Sequence, residues 1–173
     1  MTDALERIAE AARSEGGVFA ATLRDDPAGE PIWHELCRPG FLLGLEAIYE
    51  GYLLHYAQPR LFRRDSLDDA ILCGDFLYAR GLVWIAEQDD PRAVAELAEL
   101  IAAVSSVRVD APRVDRFALW AATALALGEA RDAGPLEAAR RALAEHGDGA
   151  PLEVLLAGRD VSRERAAHVR FDP

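Results

Sequence analysis

The stretch from Ser66 to Gln88, SLDDAILCGDFLYARGLVWIAEQ, constrains the fold more than any other part of the chain. Ser66 stands three residues ahead of Asp69 in capping-box spacing, and the residues that follow stay mostly apolar for about five helical turns. Ile71, Leu72, Cys73, Phe76, Leu77, Leu82, Val83, Trp84 and Ile85 fall on every side of such a helix, whereas a surface helix confines its apolar residues to one stripe. The pattern predicts a central buried helix wrapped by its neighbours. Gly74 and Gly81 lie seven apart and so share a face. Each costs a helix interior roughly 1 kcal/mol relative to alanine, which implies close backbone packing. Asp75 sits inside the apolar run, where an ionised carboxylate is costly unless it is paired, hydrogen-bonded or bound to a cation.

A chain of 173 residues is long enough to bury one core, and a hydrophobic share of 51% supplies the material for it. Ala, Leu, Glu and Arg dominate and no alternating Val, Ile, Thr and aromatic runs occur, so helix is favoured over sheet. The formal charge of −11 argues against nucleic acid and anionic membrane surfaces as partners, since both are gripped through clustered Lys and Arg. No window reaches the ~18 uninterrupted apolar residues of a membrane span. The N-terminal MTDALERIAEAARSEGG carries charges where a signal peptide needs its apolar core, and Cys37 and Cys73 lie in apolar helical patterns. The expectation is a cytoplasmic, reduced protein.

Around the central run, Thr2 to Ser14 reads as a short amphipathic helix, Val18 to Leu23 as a further helical turn, and RDDPAGEP from Arg24 to Pro31 as loop. Phe41 to Ala57 is a second strongly apolar helix, with Gly44, Ile48, Gly51 and His55 along one ridge. A glycine pair seven apart on each of the two helices predicts that they pack face to face. Asp90 and Pro91 have the N-cap and first-turn chemistry of a new helix. Further helices are expected over Arg113–Ala130 and Leu136–His146, with a last apolar turn over Leu152–Ala157. The expected architecture is an all-α, single-domain bundle of six to eight helices over residues 1–158, followed by a polar, arginine-rich tail over 159–173.

Several side chains could carry chemistry. Glu46 and Glu50, one helical turn apart, point the same way; they either line a solvent edge or hold a divalent cation such as Mg²⁺ on a phosphate. Arg60, Arg63 and Arg64 could grip that phosphate or simply be solvated. Tyr49, Tyr52, Tyr56 and Tyr78 place four phenols on two helices expected to be neighbours, as core aromatics or as the lining of a tunnel for an apolar chain. His34 and Cys37 have a spacing compatible with metal, but a structural zinc site needs about four ligands.

DAILCGDFLYARGLVWIAEQDDPRAVAELAELIAAVS, Asp69 to Ser105, resembles the central segment of the trans-polyprenyl diphosphate synthases. Ala70, Ile71, Leu72, Gly74, Asp75, Leu77 and Ala79 match that family's A-I-L-x-G-D-x-L-L-A-x-A pattern, and DRFALWAATALALG, Asp115 to Gly128, is similar to its next helix without the usual lysine. The resemblance implies a truncated isoprenoid-synthase-like fold with Asp75, Arg60, Arg63, Arg64, Tyr49, Tyr52 and Tyr78 toward an isoprenoid diphosphate and Glu46 and Glu50 toward Mg²⁺. The first aspartate-rich motif is reduced to Glu46-Ala47-Ile48-Tyr49-Glu50, and the second is missing beyond Gly149. Ionising an allylic diphosphate needs several metal ions and cationic donors. The resemblance therefore implies a member similar to the small non-catalytic subunits of heteromeric prenyl synthases, a homodimer or a heteromer with a helical partner. Two rival expectations are a binding module for an apolar or isoprenoid ligand between the two glycine-bearing helices, and a scaffold in which Asp75 pairs with an arginine such as Arg80.

Overall fold

The computed structural model describes residues 3–110, 115–129 and 134–172. In order they form α1 (Asp3–Glu15), α2 (Gly17–Ala21), a 3-10 turn (Trp33–Glu35), α3 (Pro39–Tyr56), α4 (Leu67–Ala86), α5 (Pro91–Asp110), α6 (Phe117–Glu129), α7 (Gly134–His146), α8 (Ala150–Leu156) and α9 (Ser162–Phe171). Among the described residues the only β pairing is one antiparallel bridge, Leu23 with Phe62. The protein is an all-α, single-domain helical bundle. The expected ends at Thr2, Arg113 and Ala130 lie outside the described residues.

Local chemistry sets the helix boundaries as the sequence predicts. Ser66 Oγ accepts the Asp69 N–H at 3.1 Å to start α4, and Asp90 Oδ1 accepts from Arg92 N at 3.1 Å with Pro91 opening α5. α6 departs from the expected start at Arg113: it begins at Phe117, where Asp115 Oδ1 accepts from Phe117 N at 2.9 Å.

Helices α3 and α4 pack antiparallel through their glycines, as the paired spacings predict. A Cβ placed on Gly44 would stand 2.5 Å from Ile85 Cγ1 and 2.8 Å from the Gly81 carbonyl oxygen. One on Gly51 would stand 2.9 Å from the Gly74 carbonyl oxygen. Only glycine permits this approach, and the side chains next in line (Ile48, Ile85, His55 and Tyr78) fill the groove on either side of the crossing.

The expectation of a wrapped central α4 is overturned: the central helix is α3. Ile48, Tyr49, Tyr52 and Leu53 of α3 join a core shared with Trp33, α5, α6 and α7. Leu43, Ala47 and Leu54 of the same helix join a second core with α1 and with Ala70, Cys73, Leu77 and Trp84 of α4. Because α3 stands between two cores, it is buried all round. α4 is covered by α3, with α5 and α2 at its flanks, and Leu67, Ile71, Leu72 and Val83 on its remaining side are 62%, 42%, 50% and 47% exposed.

The C-terminal segment is also corrected. Residues 162–171 are helix, not a polar tail, and Glu164, His168 and Phe171 of α9 are buried. The core-facing side of α9 is mostly polar, so a search for apolar stripes passes over it. Its arginines dock on acids of the body: Arg163 on Glu35 at 2.9 Å, and Arg165 on Glu153 at 3.0 Å and on Asp115.

Candidate functional site

The acidic pair on α3 faces the interior, so the solvent-edge reading of Glu46 and Glu50 fails. Both are fully buried, with the guanidinium of Arg60 between them. Arg60 Nη1 donates to Glu46 Oε2 at 2.7 Å and Nε to Glu50 Oε2 at 2.9 Å. The outer oxygens are occupied as well. Glu46 Oε1 accepts from Ile32 N at 2.6 Å and Trp33 N at 2.8 Å, and Glu50 Oε1 accepts from Leu61 N at 2.7 Å. Burial alone would lower the Arg60 pKa, but the Glu46 and Glu50 carboxylates more than offset it and hold the guanidinium charged. All four carboxylate oxygens therefore have donors, and the pair offers no open coordination position to Mg²⁺. The triad's role is to tie the 30–33 loop, α3 and the 60–61 segment together.

Arg63 and Arg64 do not join Arg60. Arg63 donates to the carbonyls of Leu23 at 2.7 Å and Ala21 at 2.6 Å, closing the end of α2. Arg64 reaches the carbonyls of Ala57 at 3.3 Å and His55 at 3.1 Å, closing the end of α3. Cationic side chains are favourable at both places because the last carbonyls of a helix lack partners. The three arginines expected to grip one phosphate thus point in three directions.

Asp75 is not buried. Its side chain is 66% exposed, and Oδ1 lies 3.2 Å from His55 Nε2 without the alignment of a hydrogen bond. The His55 pKa is lowered by burial, a shift the Asp75 carboxylate partly offsets. Tyr78 stacks on His55 with ring centroids 5.1 Å apart, and its buried hydroxyl has no hydrogen-bond partner. Burial pushes that phenol's pKa up.

Tyr49 and Tyr52 belong to a polar chain that sequence reasoning missed. Tyr49 Oη lies 3.0 Å from His168 Nδ1, and Tyr52 donates to Asp172 Oδ2 at 2.7 Å. Arg116 clamps the same carboxylate, Nε to Oδ2 at 2.9 Å and Nη2 to Oδ1 at 3.0 Å. Burial acts to raise the Asp172 pKa, but hydrogen bonds from His168, Arg116 and Tyr52 hold it well below the usual carboxylate range. Trp33, Phe117 and Trp120 enclose this chain. No local signal joins Tyr52 to Asp172 across 120 positions; only the four-residue spacing of His168 and Asp172 could be read from sequence.

The weaker metal reading finds no support either. His34 Nδ1 lies 3.0 Å from the Pro31 carbonyl oxygen, and Cys37 is buried with its thiol pushed up to about 12, first by burial and then by the Glu46 carboxylate. Among the described residues no group of three or more His, Cys, Asp or Glu is placed to hold a metal, and no helix is long and apolar enough to cross a membrane. Between α3 and α4 the glycine contacts close the space that an apolar ligand would need. A groove of about 550 Å³ between α5 and α7 is lined by Glu96, Arg140 and Arg141 among others. Its arginines are already engaged, Arg140 with Glu96 at 2.7 Å and Arg141 with Glu137 at 2.8 Å.

What is left unsatisfied is a surface. Four of the six large apolar side chains exposed among the described residues are on α4. No family model, curated protein or solved structure matches this chain.

Proposed function

We propose that the protein is a non-catalytic helical subunit that works by association through the outward face of α4. The observation that carries this reading is the concentration of Leu67, Ile71, Leu72 and Val83 on one helix of an otherwise well-covered bundle. Contiguous exposed apolar surface on a soluble domain marks an interaction site. Fully burying such a side chain contributes ~1.5–3 kcal/mol, so covering the exposed parts of four is worth about 3–6 kcal/mol. The interior groups support the non-catalytic half of the reading. The acid pair is fully engaged by Arg60 and backbone N–H groups, and the buried phenols and the Cys37 thiol are held in their protonated forms.

The similarity of residues 69–105 and 115–128 to the prenyl synthases supports isoprenoid diphosphate metabolism as the setting. Size fractionation of an extract of the source cells tests the association. The wild-type chain is expected to migrate above its monomer size, and a Leu72→Glu, Val83→Glu double variant at monomer size; a monomeric wild type overturns the reading. A purified chain that condensed isopentenyl and farnesyl diphosphates in Mg²⁺ would overturn its non-catalytic half.

A further inference from the structure

The connection between α3 and α4 forms a pocket with the loop that follows α2. The Leu23–Phe62 bridge brings them together: Arg24 N donates to the Leu61 carbonyl at 2.8 Å, Arg63 N to that of Thr22 at 2.7 Å and Ala28 N to that of Arg60 at 2.9 Å. The loop from Arg24 to Ala28 therefore spans a single step of the facing segment, and Asp25, Asp26 and Pro27 bow out into solvent. Beside it lies a concavity of about 480 Å³ whose walls include Arg24, Tyr56, Gln58, Pro59 and Arg64.

The arginines of this pocket differ from those of the interior. Arg60, Arg116 and Arg140 are each bound to a carboxylate. Arg24 and Arg64 are held by backbone carbonyls instead. Arg24 Nε donates to the Asp26 carbonyl at 3.3 Å, and Arg64 donates from Nη1 to that of Ala57 at 3.3 Å and from Nη2 to that of His55 at 3.1 Å. A carbonyl orients a guanidinium without cancelling its charge. Neither arginine forms an ion pair among the described residues, and Asp65, next to Arg64 in sequence, is taken by Arg63 at 3.0 Å. The last turn of α3 ends here, and its open carbonyls would repel an anion, but Arg64 covers those of His55 and Ala57. A chain of net charge −11 thus keeps two oriented, uncancelled guanidinium groups on one concavity.

A planar carboxylate matches one guanidinium fork, whereas a phosphoryl group carries about two charges and three acceptor oxygens that two arginines can share. The volume is that of a small-molecule site, and Tyr56, Ala57 and Pro59 supply an apolar wall beside the charges. The net charge disfavours nucleic acid and anionic membrane surfaces, so the phosphate is carried on a small soluble molecule. We infer that this pocket binds a small organic phosphate, with the phosphoryl group held between Arg24 and Arg64 and the organic body against Tyr56 and Pro59. The exposed face of α4 plays no part in it.

Titration calorimetry of the purified full chain with phenyl phosphate, at constant ionic strength, tests it. The wild type is expected to bind phenyl phosphate more tightly than inorganic phosphate, and about 10-fold or more above benzoate. Arg24→Gln and Arg64→Gln should each weaken binding by about 10-fold or more through loss of a charge-assisted contact, while Arg80→Gln on α4 leaves it unchanged. The Arg24 side chain bonds only the Asp26 carbonyl, so its variant keeps the fold and decides the case if Arg64→Gln loosens the end of α3. Absence of saturable binding, or equal weakening by Arg80→Gln, overturns the site. Benzoate bound as tightly as phenyl phosphate overturns the phosphate class, and inorganic phosphate bound as tightly overturns the apolar wall. Each of these failures leaves the association reading standing, since that reading is decided by size fractionation.

Discussion

Helices α3 and α4 are similar in length and apolar content, and each carries carboxylates among its apolar residues, yet they have opposite fates. α3 buries Glu46 and Glu50 completely, whereas α4 turns Asp75 to solvent. The difference lies in their neighbours. α3 has a core on both sides and a buried arginine arriving from the next segment; α4 has one covered side and no cation inside. Whether an acid in an apolar helix is buried depends on whether the fold delivers a partner to it, and the helix's own sequence does not contain that information.

Removing the delivered partner gives the largest expected effect. Arg60→Met leaves two buried carboxylates uncompensated and should cost about 3–5 kcal/mol, read as a lowered urea midpoint or outright failure to fold. Replacing all three charges at once, with Glu46→Gln, Glu50→Gln and Arg60→Met, should recover part of that loss. A single substitution without measurable cost would erase the contrast between the two helices.

The next effect concerns the seam they share. Gly44→Ala forces a methyl onto the Gly81 carbonyl and Ile85. It should destabilise by about 1–3 kcal/mol in chemical denaturation, despite the better helix propensity of alanine. The same substitution at Gly147, where the backbone φ is +67° and nothing lies within 4 Å, should cost only its backbone strain, about 1–2 kcal/mol.

Acid should act on the α3 side of the molecule. The folded pKa of Asp172 is depressed below its unfolded value, so the stability contributed by its bonds to Tyr52, Arg116 and His168 is present above about pH 4 and lost as pH falls through and below it. Asp172→Asn should flatten that acid limb of the stability profile. His55 is also depressed, so its contribution is present above about pH 6.5 and declines as pH falls, because the unfolded chain takes up the proton more readily.

The smallest effect is expected at Asp75. Its exposed pairing is worth less than about 1 kcal/mol, so Asp75→Asn should barely move the melting temperature at pH 8. It should deepen the loss near pH 5, because the carboxylate no longer supports the His55 proton. A cost of several kcal/mol at pH 8 would mean that Asp75 is buried after all.

Much of the fold was legible because its signals are local. Ser66, Asp90 and Pro91 mark helix starts, and the spacing of Gly44, Gly51, Gly74 and Gly81 identified the α3–α4 contact without any structure. The site was less legible because its decisive contacts are remote in sequence. Arg60 reads as one of three similar loop arginines, and only the fold separates it from Arg63 and Arg64. Apolar periodicity also misjudged α4, since apolar residues left exposed and apolar residues in a core look alike in sequence. It missed α9 for the converse reason, a buried face made of Glu164 and His168.

The Arg60 triad also limits the paths by which this sequence can change. Loss of Arg60 alone leaves two buried carboxylates without a cation, a cost of about 3–5 kcal/mol against the ~5–15 kcal/mol total stability of an ordinary domain. Freeing Glu46 and Glu50 to hold a metal would require loss of Arg60 and gain of the ion together. The two acids and the arginine thus behave as one electrostatic unit, in which an open acidic pair is reached only by exchanging one cation for another.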